Sequence, residues 1–483
     1  MVTCCNTILN NYKNVLFPIG ISVRKTVTMK KYLIILLLAT SCIIQPKTKE
    51  QNKYLNCEPG IYPDRIMLTI PDDPATSRSV SWRTEYSITK SLAEIARVDA
   101  APTLDQLAEA IEGTSEAWET GNEEAMGHKV IFTGLNPETK YAYRVGDGEN
   151  WSEWFQFETS SDSVEPFSFL YFGDVQNDIK SYCSRELRQA YSHFPKADFM
   201  LFAGDLVSRS TEEYWREFFY AGGWIFGMTP SIPTPGNHEY DKTEDGTRTF
   251  SKHWNQIFTM PSNGPAEKYN NRFYYMDYQG VRLVSFDSPA LGENKNDSTM
   301  IVDWLDKILE ENPNRWSIVF THYPVYSCSQ GRNNEKYRES IKPILEKHGV
   351  DLVLQGHDHT YCRGQNLSAA NKSGGNNPVY VVSVAGPKMY GLNTSFWSDR
   401  VASNTQLYQH IKVGGDSLLF KAFTVAGELY DDFTIVKDMD GKNKFVESSE
   451  LAKINQRFDI PESAKEKYSE EELKMYHEKF NEK

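Results

Sequence analysis

The 483-residue chain reads as an α/β layered domain preceded by a small all-β sandwich. Three observations carry that reading. Between residues 61 and 160, short runs alternate with period two and are separated by turn residues, the pattern of half-buried strands. From about Glu165, strand-length apolar runs end in Gly, Asp, Asn or His, with helical patterns between them, which is the grammar of an α/β layer fold. Composition agrees, since 40% hydrophobic, 24% charged and 13% aromatic residues describe a folded chain long enough for two or three domains. A formal charge of −13 argues against a broad nucleic-acid-binding surface. A mean hydropathy of −0.54 excludes a multi-span membrane protein, and seven Cys are too few for a disulfide scaffold at this length.

Residues 1–42 read as an upstream extension followed by an export signal. Met29-Lys30-Lys31 leads into the apolar run from Tyr32 to Ala39, then Thr40-Ser41-Cys42. A positive start, a short apolar stretch and small residues are signal-peptide features, and the run falls short of the ~20 residues that cross a bilayer. Cys42 after small residues resembles a bacterial lipoprotein signal, although Ala39 stands where such signals usually carry Leu or Val. This predicts an envelope lipoprotein (periplasm or outer membrane) anchored through lipidated Cys42, with plain secretion as the alternative. Several acyl chains on one Cys would hold it stably, whereas one chain binds only marginally.

Residues 43–60 are a polar tether. In the sandwich, Ser79-Val80-Ser81-Trp82-Arg83-Thr84 and Tyr141-Ala142-Tyr143-Arg144-Val145 alternate as strands, and a helix is expected from Thr103 to Ile111. The stretch Gly134 to Val145 resembles a fibronectin type III-like domain, a structural module without chemistry of its own. In the 165–436 domain, strands are expected at Phe167–Phe172, Asp198–Ala203, Trp316–Phe320, Asp351–Leu354 and Val379–Val384. Ile301, Val302, Leu305, Ile308 and Leu309 mark one helix face, and Glu335 to His348 is a second helix stopped by Gly349. Residues 437–483, rich in Lys and Glu, read as a charged appendage.

Five clusters each follow an apolar strand or a tight Pro/Gly turn: Gly173-Asp174-Val175-Gln176, Gly204-Asp205-Leu206-Val207-Ser208, Gly236-Asn237-His238-Glu239, Thr321-His322-Tyr323-Pro324 and Gly356-His357-Asp358-His359. In layered α/β folds ligands sit beyond the carboxyl ends of strands, so all five can reach one rim. Carboxylate, amide and imidazole suit Mn, Fe or Zn better than a thiolate cluster would. Two neighbouring divalent ions repel, and a shared carboxylate between them relieves this. Each cluster alone is weak, because a strand-end His is more often a hydrogen-bonded structural residue. The ordered set of five carries the reading.

That order is where the sequence resembles the calcineurin-like metallophosphoesterases, and within them the purple acid phosphatases. The resemblance runs from about Asp64 to Phe433 and includes His322-Tyr323-Pro324-Val325-Tyr326 and Tyr274-Tyr275-Met276-Asp277-Tyr278. It implies a four-layer α/β/β/α sandwich holding two divalent metal ions (Fe, Mn or Zn). Asp174 and His359 would bind the first, Asp205 would bridge, and Asn237, His322 and His357 would bind the second. His238 would face the leaving group as hydrogen-bond donor or general acid. Gln176 stands where the broader family often has His, and its oxygen either ligates the first metal or hydrogen-bonds nearby. Ser208 replaces the family's Tyr, whose phenolate holds ferric iron, so two divalent ions and no purple colour are expected.

The implied reaction is phosphomonoester hydrolysis by metal-activated hydroxide, the metals lowering the bound water's pKa towards ~7. The site would keep a residual positive charge that draws phosphate. Its partners would be phosphorylated small molecules or phosphoproteins. Asn237, Tyr361 and Arg363 are candidate substrate contacts, with Arg332, Tyr326 and the loop from Gln365 to Asn377 as further rim candidates; rim packing and a solvated loop are the structural alternatives. Cys328 and Cys362 follow site clusters closely and are a candidate disulfide. A phosphodiesterase or nucleotidase of the same fold is the alternative function. A surface binding protein with an inactive catalytic domain is a second.

Overall fold

The computed structural model describes residues 58–120, 123–242, 248–292, 295–365, 377–393 and 397–481. The segment expected to be an export signal, with Cys42, most of the expected tether, and most of the 365–377 loop lie outside the described residues. Among the described residues, no helix is long and apolar enough to cross a membrane.

The first module is a sandwich of two four-stranded antiparallel sheets. One contains Asp64–Thr69, Arg78–Glu85, Thr114–Thr120 and Glu123–Phe132; the other contains Leu92–Arg97, Glu109–Glu112, Lys140–Gly146 and Phe155–Glu158. Strand alternation sends Val80, Trp82, Val130, Tyr143 and Phe157 into the core between the sheets. The opposite face of Arg78–Glu85 is buried too, because it abuts the larger domain. Ser81 Oγ donates to the Ile257 carbonyl at 2.6 Å, and Arg83 pairs with Glu212 at 2.5 Å. Arg65 pairs with the same carboxylate, and Tyr143 Oη donates to the Gly227 carbonyl. The expected 103–111 helix is a correction. Only Leu104–Leu107 is helical; Glu109–Glu112 instead pairs antiparallel with Leu92–Arg97, so sheet pairing overrides local helix propensity there.

The larger domain is built on two seven-stranded sheets. In the first, Phe167–Phe172, Phe199–Ala203 and Ser231–Thr234 run parallel, and Leu407–Gly414 joins Phe167–Phe172 antiparallel. In the second, Val281–Phe286, Trp316–Thr321, Leu352–Gln355 and Val379–Val382 run parallel. Period-two burial explains the layering. Leu283, Ile318, Leu354 and Val381 share a core with Phe169, Leu201 and Ile411 of the first sheet. Their sequence neighbours Val284, Val319, Val353 and Val382 instead pack with Ile301 and Leu305 of helix Lys295–Glu310 and with Ile341 and Leu345 of helix Glu335–Lys347. Leu187 of helix Ser184–His193 and Trp215 and Phe218 of helix Glu212–Gly222 join the first core. The parallel strands of both sheets deliver their carboxyl ends to one rim.

Candidate metal centre

Every cluster follows one of these strand ends. Asp174 comes two residues after Phe167–Phe172, Asp205 two after Phe199–Ala203, Asn237 three after Ser231–Thr234, His322 directly after Trp316–Thr321, and His357 and His359 just after Leu352–Gln355. The turns are tight. Asp205, His357 and His359 have positive φ of 51°, 73° and 47°, sparsely populated for residues with a Cβ. Two glycines are sterically required: a Cβ on Gly236 would fall 2.2 Å from Asp205 Oδ1, and one on Gly356 would fall 2.5 Å from Asp174 Oδ2.

The polar atoms converge around the Asp205 carboxylate. His322 Nε2 lies 3.1 Å from Asp205 Oδ2, 3.3 Å from Asn237 Oδ1 and 3.1 Å from His357 Nδ1. On the other side, His359 Nε2 lies 3.3 Å from Asp174 Oδ1, and Gln176 Nε2 donates to Asp205 Oδ2 at 2.9 Å. Ligand atoms of Asp205, His322 and His357 all fall within 4.8 Å of one another. Asp205 Oδ1 is turned by the His238 backbone N–H at 2.8 Å, which leaves Oδ2 between the two groups.

The donor set fits divalent cations. His322 Nδ1 donates to the Ala203 carbonyl at 3.0 Å and His359 Nδ1 to the Lys388 carbonyl at 2.8 Å. Each ring is thereby fixed with its Nε2 lone pair towards a carboxylate, the arrangement metal-ligating histidines adopt. Lone pair against carboxylate oxygen is repulsive unless a positive charge sits between them. Asp174 Oδ1 is buried without a hydrogen-bond partner, an unmet acceptor that an ion would satisfy. The proton affinities of these groups follow from burial and from their mutual charges. Burial opposes charge on His322, but Asp205 and Asp174 outweigh it and push His322 up to about 9. Burial also works against the Asp205 carboxylate, yet His322, His238 and His357 hold it below the usual range. Burial, with the charge of Asp205, pushes Asp174 up to about 7, while burial brings His359 down to about 3.

Two acids adjacent to the ligands act as clamps. Glu239 is fully buried and accepts backbone N–H bonds from Asp205, Leu206, Val207 and Gly236 at 2.7–3.3 Å. Asp358 accepts from Ser327 Oγ and from the Cys328 and Ser329 amides, and Arg332 donates to Asp358 and to the His357 carbonyl. Sequence reasoning did not find these roles; only the position of each acid beside a ligand hinted at them. Tyr323 entered only as a member of its cluster, and Tyr390 was missed. Their rings lie 4.5 Å from His357 and 4.6 Å from His359.

His238 stands at the open side. Its side chain is about one-third exposed, its Nδ1 donates to the Ser208 carbonyl, and its Nε2 is 3.9 Å from Asp205 Oδ2. Ser208, in place of a phenol, accepts the Asn177 amide through Oγ. Gln176 Nε2 lies within hydrogen-bonding distance of Asp205 Oδ2 and His359 Nε2, while its Oε1 is buried without a hydrogen-bond partner.

Four expectations are corrected. Tyr361 and Arg363 are fully buried and do not line the pocket. Tyr361 Oη and Arg363 Nε both donate to Asp431 Oδ2, and Arg363 Nη2 reaches Asp431 Oδ1 and Glu447. Tyr326 packs on Trp397 and Tyr380 rather than on the pocket. Cys328 and Cys362 are buried free thiols, and Cys328 Sγ lies 2.9 Å from Thr360 Oγ1.

A strand-end pocket that gathers carboxylates, an amide and three histidines around one shared carboxylate is a candidate site for two metal ions. Residues 167–361 match the calcineurin-like phosphoesterase family, and residues 63–159 match the purple acid phosphatase N-terminal domain family. Relatives similar to the chain include proteins named as purple acid phosphatases and as acid phosphatase type 7. Purple acid phosphatase 21 of Arabidopsis thaliana is 28% identical over 278 residues, covering 56% of this chain and 60% of that protein. Acid phosphatase type 7 of Danio rerio is 30% identical, covering 49% and 57%. The chain thus spans about 60% of the length of such relatives. Among solved structures, purple acid phosphatase PPD1 from yellow lupin (Lupinus luteus) seeds shares the fold at a TM-score of 0.64 with 18% identity, covering 79% of this chain and 75% of that one.

Proposed function

We propose that the chain is a dinuclear-metal phosphatase that hydrolyses phosphomonoesters. The observation that carries this reading is the pair of donor groups facing each other across the Asp205 carboxylate. Asp174 and His359 would hold one ion, Asn237, His322 and His357 the other, and Asp205 both. Bound ions would supply a nucleophile at neutral pH and stabilise charge on the attacking and leaving oxygens.

The remaining work belongs to the chain. Asp205 is pre-aimed by the His238 amide and its loop is fixed by Glu239, so little reorganisation is needed at the reaction. His238, tethered through Nδ1, presents Nε2 to the open side, where in its protonated form it donates to the departing oxygen. The complete donor set speaks against an inactive binding protein. Hydrolysis of p-nitrophenyl phosphate with Mn²⁺, Zn²⁺ or Fe²⁺ tests the reading: turnover should vanish with chelator and return on adding metal. Chelator-insensitive turnover, or none with any metal, would overturn it. Parallel assay of a phosphodiester separates the alternative function.

The export pattern at 29–42 supports placement in the cell envelope with Cys42 as the lipid anchor. Incorporation of a fatty-acid analogue should be lost in Cys42→Ala; unchanged labelling would remove the anchor.

A further inference from the structure

Tyr390 is strapped to the metal centre. Its backbone N–H donates to the His359 carbonyl at 3.2 Å, and its ring lies 4.6 Å from the His359 ring. Three cations from separate segments surround that ring: Arg332 at 4.9 Å, Lys388 at 5.3 Å and Lys467 at 5.4 Å from its centroid. Lys467 arrives from the C-terminal appendage, which is built into place. Gln330 Nε2 donates to the Lys467 carbonyl at 2.9 Å and Tyr468 Oη donates to the Leu392 carbonyl at 2.7 Å. Gly391 makes room for this, since a Cβ there would fall 2.0 Å from Tyr468 Oη. Arg332 is committed to Asp358, but among the described residues neither lysine is paired with a carboxylate. In an acidic chain, three convergent cations beside a phosphate-attracting centre cost repulsion that an anion would relieve.

We propose that Arg332, Lys388 and Lys467, gathered around Tyr390, form a subsite for a second anionic group carried by the phosphoester substrate. The inference rests on the phosphatase reading and deepens it: preferred substrates are bisphosphorylated or otherwise polyanionic esters rather than esters of neutral alcohols. A cation on an aromatic face retains its outward N–H donors for such a group. The appendage then acts as a specificity element, although it lies outside the stretch matched to the phosphoesterase family.

The test uses two probes that cannot be hydrolysed, butylphosphonate and butane-1,4-bisphosphonate, titrated calorimetrically into the metal-loaded full chain. The wild type should prefer the bisphosphonate. Lys388→Ala and Lys467→Ala should each reduce that preference about two- to fivefold, as for partly exposed ion pairs. Lys467→Glu should reduce it further. Lys467 is exposed, so its variants should keep the wild-type melting temperature. Equal affinity for the two probes in the wild type, or an unaltered preference in the lysine variants, overturns the proposal. Failure of the phosphatase reading is seen separately, as absent turnover of p-nitrophenyl phosphate.

Discussion

Residues 357–359 and 361–363 are nearest neighbours in sequence and opposites in role. The first segment is a turn whose two histidines, at φ 73° and 47°, project into the metal pocket. The second is a regular strand, Tyr361–Gly364, paired with Val379–Val382 and Arg400–Ala402. Its alternation sends Tyr361 and Arg363 to Asp431 and sends Cys362 to the core on the opposite face. Closeness to a ligand in sequence therefore says little about closeness to the chemistry. Strain and strand-end position mark the pocket, and the return of period two marks where it stops.

Substitutions that separate the two roles sharpen the contrast. Asp205→Ala should remove the carboxylate common to both donor groups, and metal analysis should find both ions lost together with activity. His238→Ala should retain both ions but lose about 10²–10⁴-fold in kcat, read by steady-state kinetics on metal-loaded protein. Arg363→Leu leaves Asp431 buried without its main partner and should cost about 3–5 kcal/mol in denaturant unfolding. Its KM for p-nitrophenyl phosphate should stay at the wild-type value in the folded fraction; a raised KM would return Arg363 to the substrate pocket. Tyr361→Phe removes one of the hydrogen bonds to Asp431 and should cost about 1 kcal/mol, again without a change in KM. Purified metal-loaded protein should also show no visible tyrosinate–iron band, because Ser208 offers no phenolate.

Four of the strands behind the pocket were legible because each is an apolar run punctuated by a polar cluster, whereas Ser231–Thr234, which leads to Asn237, is not such a run and was not read as a strand; the five clusters in order were legible as one donor set. The substrate candidates were not, since Tyr361 and Arg363 look as polar-tipped in sequence as any rim residue, and Asp431, which claims both, lies 68 positions beyond Arg363. Glu239 was equally hidden as a clamp: its partners are backbone amides, which carry no residue signature. The misread 103–111 helix failed for a related reason, because pairing with Leu92–Arg97 depends on a partner strand and not on local propensity. Lys467 was passed over as part of a charged tail.

Each clamping acid sits within two positions of a ligand in its own cluster and also grips backbone outside that cluster. Glu239, beside Asn237 and His238, holds the amides that follow Gly204; Asp358, between His357 and His359, holds the segment that follows Tyr326. The loops are stitched crosswise, like staves under a common hoop. Such stitching makes the pocket assemble cooperatively, so damage to one cluster should loosen its neighbour and partial, single-loop failure should be rare.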